Sequence, residues 1–213
     1  MRLSELSEQS GVPVATIKYY LRERLLPPGH RVSATRADYD GTHLRRLRLV
    51  RALIQVGRLP VATAREVLDH VDDDSLGRTI RLGAALWSLP HGPDPDDGAP
   101  ETAAARREVD RLLDRLGWTS VRETGELSPV HRSLVAAVAT LLRLGYPYED
   151  GYLLQQGRLM YQVAVQDLDM METYPSETEQ VESAVVATVL YEPLLSSLHR
   201  LAQEEESARR YGL

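Results

Sequence analysis

The sequence predicts a mainly all-α fold that opens with a helix-turn-helix and a short β-hairpin and continues into a C-terminal helical bundle. Apolar residues recur at spacings of three and four along nearly the whole 213-residue chain, which is the period of an amphipathic helix. The exception is a stretch rich in Pro, Gly and short polar residues from Pro27 to Asp40. That stretch has room for two short strands.

The first two predicted helices are short and close in sequence. One covers Leu3–Ser10, with Ser4 as its cap, and ends at Gly11. Pro13 starts the second, which extends to about Arg24, because proline in the first turn lacks only an N–H that the helix does not use. Two short helices joined by Gly-Val-Pro form a helix-turn-helix candidate.

The rest of the chain is predicted to be helical, apart from one linker. The helices are expected at Thr42–Val56, Val61–Val71, Ser75–Ser88, Ala103–Leu116, Pro129–Leu144, Glu149–Met171 and Glu177–Ser207. The segment from Pro90 to Pro100 has four prolines and three aspartates, so we expect a flexible linker there. Pro193 should kink or divide the last helix, since it removes a hydrogen bond and clashes with the preceding turn.

Charge is divided unevenly along the chain. The net charge is −6, yet residues 1–65 hold 12 Lys and Arg against 5 Asp and Glu, and the remainder holds 13 against 26. A basic segment on an acidic body is typical of a protein in which only that segment meets a polyanion. Uneven surface charge without such a partner is the alternative.

The composition excludes several classes of protein. The chain has no cysteine, so it has no disulfide, thiolate metal site or thiol switch. No two histidines lie within twelve residues, and we expect neither a metal nor a cofactor. No continuous apolar run reaches the roughly 18 residues of a membrane span, and no secretory signal is evident, which favours a cytoplasmic location. Without a phosphate loop or nucleophile elbow, the chain is not expected to be an enzyme.

The second helix carries the residue types of a DNA-recognition helix. Its inner side, with the preceding helix, is expected to consist of Leu6, Val12, Ile17 and Leu21. The outer face then holds Ala15, Thr16, Lys18, Tyr19 and Arg22. Small residues allow a close approach to the major groove, while Lys, Arg and Tyr side chains reach phosphates or base edges. Tyr20 lies nearer the inner side and is expected to be half in the core.

These residues resemble the opening of the mercury-resistance-regulator (MerR) family of bacterial transcription factors. The stretches MRLSELSEQSGVPVATIKYYLRERLLPPG and RADYDGTHLRRLRLVRALIQVG contain, in the family's order, a double tyrosine, a Leu-Leu-Pro exit, a Tyr-Asp before a basic helix, and a break at Gly57. The resemblance covers about residues 1–74. It implies a winged-helix DNA-binding head, a long helix that pairs two subunits and a variable effector domain.

The resemblance also implies site residues and partners. Thr16, Lys18, Tyr19 and Tyr20 match the family's recognition-helix contacts. The wing would lie between Pro28 and Tyr39, with phosphate contacts from Arg31 and Arg36. Further basic residues on the next helix either contact phosphates or form a solvated face; they are Arg45, Arg46, Arg48 and Arg51. The implied partners are a second subunit, an inverted repeat in double-stranded DNA that is distorted between its half-sites, and RNA polymerase at the promoter.

The sequence departs from the family pattern at three points. The usual Glu after the two tyrosines is Leu21, and the usual Gly before Leu-Leu is Arg24. A left-handed helix exit at Arg24 would cost roughly 1 kcal/mol more than with glycine. The wing motif reads Thr35-Arg36-Ala37-Asp38-Tyr39, with its arginine displaced by one position.

The predicted segments are a DNA-binding domain at 1–74, a connecting helix and linker at 75–100, and an all-helical dimerisation or effector domain at 101–213. The last holds six tyrosines and methionines that suit an adaptable apolar pocket, namely Tyr148, Tyr152, Met160, Tyr161, Met170 and Tyr191. A plain core with a dimer surface explains them equally well.

We therefore expect a homodimeric transcription regulator that binds an inverted repeat and is controlled by an apolar or aromatic small molecule. One alternative is a ligand-independent architectural or developmental regulator. Another is a resistance protein that sequesters a small molecule.

Overall fold

The computed structural model describes residues 1–33, 36–146 and 150–212. Ten α-helices occur in these residues, and they are α1 Leu3–Ser10, α2 Val14–Arg22, α3 Gly41–Arg51, α4 Val61–Asp72, α5 Arg78–Trp87, α6 Pro100–Leu116, α7 Thr119–Thr124, α8 Pro129–Arg143, α9 Asp150–Glu172 and α10 Glu177–Tyr211. Two strands, β1 His30–Arg31 and β2 Ala37–Asp38, pair antiparallel. The predicted mainly all-α fold with a short hairpin is confirmed.

The chain forms two compact units. The first contains Met1–Ser88 together with Met171–Leu213, and the second contains Leu89–Met170. The C-terminal helix α10 therefore belongs with the N-terminal elements, which the sequence patterns did not indicate. The predicted domain limits near residues 74 and 100 remain predictions.

The core of the first unit begins between α1 and α2. Leu6, Val12 and Ile17 are buried there, as predicted. Tyr20 is only 4% exposed, whereas Leu21 is half-buried. The prediction that Leu21 fills the inner side is therefore wrong in part, because Tyr20 takes most of that place.

Several helix ends differ from those predicted. Helix α1 spans Leu3–Ser10 as predicted, but Ser4 lies inside its first turn and Arg2 is its N-cap; the Arg2 N–H donates to Glu5 Oε2 at 2.7 Å. The helix predicted at Thr42–Val56 starts at Gly41 and closes with a π-helical turn over Ala52–Val56. Gly11 ends α1 in the left-handed conformation, as expected.

Helix α10 runs unbroken through Pro193. Of the two predicted outcomes, a kink or a division, the division is wrong, since about four to five turns on either side keep their own hydrogen bonds, and the kink remains a prediction. The Ser197 hydroxyl donates to the Pro193 carbonyl at 2.9 Å. By length and composition alone, α10 is also apolar enough to cross a membrane, although it contains no long continuous apolar run.

An ion-pair cluster joins α3 to the start of α10. Arg45 Nε donates to Glu182 Oε2 at 2.7 Å, and its Nη1 donates to Glu179 Oε1 at 2.8 Å. Arg46 lies 3.5 Å from Glu182 and also pairs with Asp72. Arg46 and Glu182 are 6% and 5% exposed. Burial removes the water that would solvate these charges, so their ion-pair partners must offset the desolvation cost.

The second unit is built on α6 and α8. Its core consists of Ala105, Val109, Leu113, Val135, Val138 and Ala139. The predicted linker packs against this unit instead of standing free: Arg132 binds Asp94 at 2.7 Å, and Ser133 donates to the Gly92 carbonyl at 2.9 Å. Polar side chains of α8 thus give the linker ordered partners that its composition does not reveal.

Replacing Gly57 with alanine should test the contact between α10 and the π-helical turn. A Cβ there would lie 2.7 Å from Val189 Cγ1 and 2.9 Å from the Leu53 carbonyl, so we expect a loss of about 1–3 kcal/mol from overpacking. Chemical denaturation measures the change. Gly83→Ala is the control: it meets nothing within 4 Å and should stabilise α5 by about 0.5–1 kcal/mol. If the two substitutions changed the free energy of unfolding equally, the close approach of Val189 to Gly57 would be contradicted.

Candidate nucleic-acid interface

Helix α2 presents an accessible polar face. Ala15, Lys18 and Arg22 are exposed, while Thr16 and Tyr19 are half-buried. The Arg22 guanidinium lies over the Tyr19 ring at 5.4 Å, so the two side chains stiffen each other. A short helix that shows a small residue, a hydroxyl and two cations can approach a DNA groove closely.

Tyr20 has a different environment from its neighbour. Burial raises the pKa of its hydroxyl, and the side chain belongs to the core between α1 and α2. The structure therefore does not place the predicted contact residue Tyr20 on the outer face with Lys18. Its ring instead holds α2 in position.

The exit from α2 is fixed by its backbone conformation, by two buried leucines and by hydrogen bonds from α4. Arg24 has a φ of 60°, which is the left-handed exit considered for this position. The next two residues, Leu25 and Leu26, are buried. Arg65 from α4 donates to the Glu23 carbonyl at 2.8 Å and to its carboxylate at 2.9 Å. The end of α2 is thus held by the buried Leu25 and Leu26 and by Arg65 of α4.

The hairpin forms the wing that the resemblance implied. His30 pairs with Asp38, and Arg31 pairs with Ala37. A Cβ at Gly29 would lie 2.9 Å from both the Asp38 carbonyl and the Tyr39 ring, so the strand needs glycine to pack this closely. Ala34 and Thr35, between the two strands in sequence, lie outside the described residues.

Both predicted wing arginines are exposed. Arg36 makes a double hydrogen bond to Asp38, with Nε–Oδ1 and Nη2–Oδ2 distances of 3.1 Å. A phosphate would have to displace that carboxylate. Arg31 Nε donates to the Ser33 carbonyl at 3.4 Å, a weaker bond that leaves most of its guanidinium available. An open groove runs between the wing and α2, with Leu21 and Arg31 among its lining residues.

Asp40 anchors the base of the wing. As the N-cap of α3 it accepts hydrogen bonds from the Thr42 hydroxyl at 2.5 Å and the Thr42 N–H at 2.9 Å. Its carboxylate also contacts His43 Nδ1 at 2.8 Å and His30 Nε2 at 3.0 Å. These bonds, the one from Thr42 first, hold the pKa of Asp40 well below its usual range.

His30, Asp40 and His43 come close enough to suggest a metal site, although the two histidines lie 13 residues apart. His43 is buried, and both its ring nitrogens have partners: Nδ1 meets Asp40, and Nε2 lies 3.3 Å from the Pro28 carbonyl. A metal ligand needs a free nitrogen lone pair. The arrangement is therefore that of a helix cap joined to a strand.

The predicted phosphate contacts Arg45 and Arg46 lie in the ion-pair cluster with α10. Arg46 is buried and Arg45 is half-buried. The structure therefore gives both residues a role in packing, and their contact with DNA remains a prediction. Sequence reasoning could not find this role, because the carboxylates that bind Arg45 lie 134 and 137 positions away and the Asp72 that binds Arg46 lies 26 positions away.

The predicted ligand pocket remains a prediction. Tyr148 lies outside the described residues, and Tyr152, Met160, Tyr161 and Met170 are exposed on α9. Tyr191 is half-buried on α10. A cavity of about 190 Å³ in the second unit is lined by other residues, including Thr102 and Arg143, and it is below the roughly 300 Å³ of common ligand pockets.

Comparison with known proteins identifies the family. Residues 1–71 match the family described as MerR HTH family regulatory protein. The crystal structure of the "putative transcriptional regulator SCO5550" from Streptomyces coelicolor A3(2) is 66% identical in sequence, with a TM-score of 0.86, and the match covers 100% of this chain and 99% of that one. No curated protein matches the chain. The chain belongs to the MerR helix-turn-helix family and is a DNA-binding transcriptional regulator.

Replacing Arg24 with glycine should stabilise the fold. The left-handed φ of 60° favours glycine, but glycine also loses more backbone entropy on folding, so we expect a net gain of about 0.5–1 kcal/mol. Thermal denaturation gives the value. Arg48→Gly is the control, because it makes the same substitution at an exposed site inside α3 and should cost about 1 kcal/mol. A destabilised Arg24→Gly variant would contradict the strain argument.

Asp40→Ala should destabilise the protein by about 0.5–2 kcal/mol at pH 7 through loss of the α3 cap. The pKa of Asp40 is lower in the folded protein than the unfolded value of about 4. Its contribution is therefore present above about pH 4 and is lost as the pH falls further. Denaturation curves from pH 7 to 2 should show the difference from wild type narrowing below pH 4. The exposed Asp69→Ala should show no such loss, and a constant difference for Asp40→Ala would refute the linkage.

Proposed function

We propose that the protein binds an inverted-repeat operator as a homodimer and regulates transcription from the promoter that contains it. The observation that carries the proposal is the exposed face of α2 beside the wing. Lys18, Arg22 and Arg31 are accessible there, on a segment with a net charge of +7 over residues 1–65. The rest of the chain is acidic, so DNA would be drawn to this face.

The contacts divide into two kinds. Thr16, Lys18 and Arg22 on α2 can reach base edges, which provide sequence discrimination. Tyr19, Arg31 and Arg36 supply phosphate contacts that set the register on the duplex. Ala15 allows close approach. The proposed DNA contacts do not include Arg45 and Arg46, because their guanidinium groups bind carboxylates of α10 and α4.

The remaining elements of the proposal follow from the family. A regulator of this kind works in the cytoplasm, without catalysing a reaction, and acts on RNA polymerase at the promoter. An apolar effector bound by the second unit remains a prediction. The exposure of the four described α9 candidates favours the alternative, a regulator that acts without a small-molecule ligand.

Genomic DNA fragments retained by the protein should share a discrete inverted repeat. Binding to the recovered fragment, measured by fluorescence anisotropy at several salt concentrations, should weaken about tenfold or more in Lys18→Ala, with a salt slope lower by about 1. Lys18 is the single lysine of the chain, so selective methylation and acetylation of lysine provide a second test, and only acetylation removes the charge.

Arg107→Ala is the matched control. It removes one positive charge from an exposed site on α6 in the second unit and should leave binding unchanged. Diffuse retention of DNA, controlled only by salt and equal in both variants, would contradict the proposal and favour an architectural role.

A further inference from the structure

Lysine occurs once in this chain. Of its 25 Lys and Arg residues one is lysine, Lys18, and it lies on the exposed face of α2. The two residue types carry the same charge but differ in reactivity, because a guanidinium stays protonated whereas a lysine amine is a target of acetylation. The chain therefore exposes a single side chain to acetylation, and it does so on the helix that would read DNA.

The Lys18 amine is accessible and unpaired. Helix α2 contains no Asp or Glu, and within the described residues the Lys18 side chain has no hydrogen-bond or ion-pair partner. The nearest acid in the sequence, Glu23, accepts a hydrogen bond from Arg65 at 2.9 Å. The amine of Met1, by contrast, donates to the Tyr39 carbonyl at 2.6 Å. Lys18 is therefore the amine that a reagent in solution meets first.

A chemical change at Lys18 should leave the fold intact. The opposite side of α2 is the one that packs, with Ile17 and Tyr20 buried, and Arg65 holds the end of the helix. Changes at an exposed position away from such contacts alter stability little. A modification here would act on binding without unfolding the domain.

We propose that Lys18 is a modification site and that its acetylation releases the protein from DNA. The inference rests on the DNA-binding role of α2 in the proposed function and names how that role is regulated. Acetylation converts the ammonium into a neutral amide, so it removes the positive charge. It also adds bulk one turn from Ala15, on the face that must approach the groove closely.

The reaction needs an activated acetyl donor, either a thioester or an acyl phosphate. The lone pair of Lys18 Nζ attacks the acetyl carbonyl carbon. An N–C bond forms, and the C–S or C–O bond to the leaving group breaks. The leaving thiolate or phosphate takes up the proton that the amine loses, and no oxidant or reductant takes part.

DNA and the acetyl group compete for the same side chain. By linkage, the factor by which acetylation weakens the affinity for DNA is also the factor by which bound DNA disfavours the acetylated form. The operator should therefore protect Lys18, and the acetyl group should be added to protein that is free of DNA. Modified protein would then stay off the operator.

Treatment of the full-length protein with acetyl phosphate, or with acetyl coenzyme A, tests the site. Trypsin reports the modification, because it cleaves only after an unmodified lysine, so the peptide Leu3–Lys18 should give way to Leu3–Arg22. Acetylated protein should bind the recovered operator fragment about tenfold or more weakly, with a salt slope lower by about 1. Its melting temperature should not change, and operator added first should slow the modification.

Lys18→Arg is the matched control, because it keeps the positive charge and removes the amine. Each protein is compared with itself before and after treatment. The affinity of wild type for the operator should fall, and that of Lys18→Arg should stay at its own starting value. An equal fall in both would place the effect on another group, such as the Met1 amine, and would overturn the proposal.

Protein isolated from the bacterium that makes it, grown with excess acetate, should yield the Leu3–Arg22 peptide. Finding only Leu3–Lys18 would overturn the proposal. Acetylated protein that binds the operator as tightly as the unmodified form would overturn it too. Either result leaves the proposed function intact, provided that the unmodified protein retains a discrete inverted repeat. Unmodified protein that retains no such repeat would overturn the proposed function as well.

Discussion

The ion-pair cluster between α3 and α10 is the constraint on which the first unit depends. Arg46 and Glu182 are buried; Glu182 would be an uncompensated charge without Arg45 and Arg46, and Arg46 would be one without Asp72 and Glu182. The cluster therefore tolerates little displacement of α10. It ties α3, the helix that follows the wing, to the start of α10 within the first unit.

A second polar centre determines how the wing is held. Asp40 joins the wing strand, through His30, to the first turn of α3, through Thr42 and His43. The backbones of Met1 and Tyr39 exchange hydrogen bonds beside it. Charged acceptors make strong hydrogen bonds, so a hairpin of only two residues per strand has a fixed base. The position of the wing arginines follows from this base.

Local chemistry explains why parts of the site could be predicted. The turn at Gly11, the buried Ile17 and the exposed Lys18 follow from helical period and backbone preference, which act over a few residues. The burial of Tyr20 was predicted less accurately. The helical period places both Tyr20 and Leu21 near the core, and it does not show which of the two side chains is buried there. Of the contact residues predicted on α2, Tyr20 is the one that the structure buries, and DNA contact by the others remains a prediction.

The sequence by itself determined most of the helices, the hairpin, the basic face and the family, since all of these depend on neighbours within a few residues or on a contiguous motif; the short helix α7 was not predicted. Only the tertiary structure decided that Arg45 bonds to α10, that the Pro90–Pro100 segment packs on α8, and that Leu198 is left exposed. These outcomes depend on pairings across 38 to 137 positions, and periodicity carries no information about which distant surfaces meet. A helix pattern shows which face is apolar, but the fold decides what covers it.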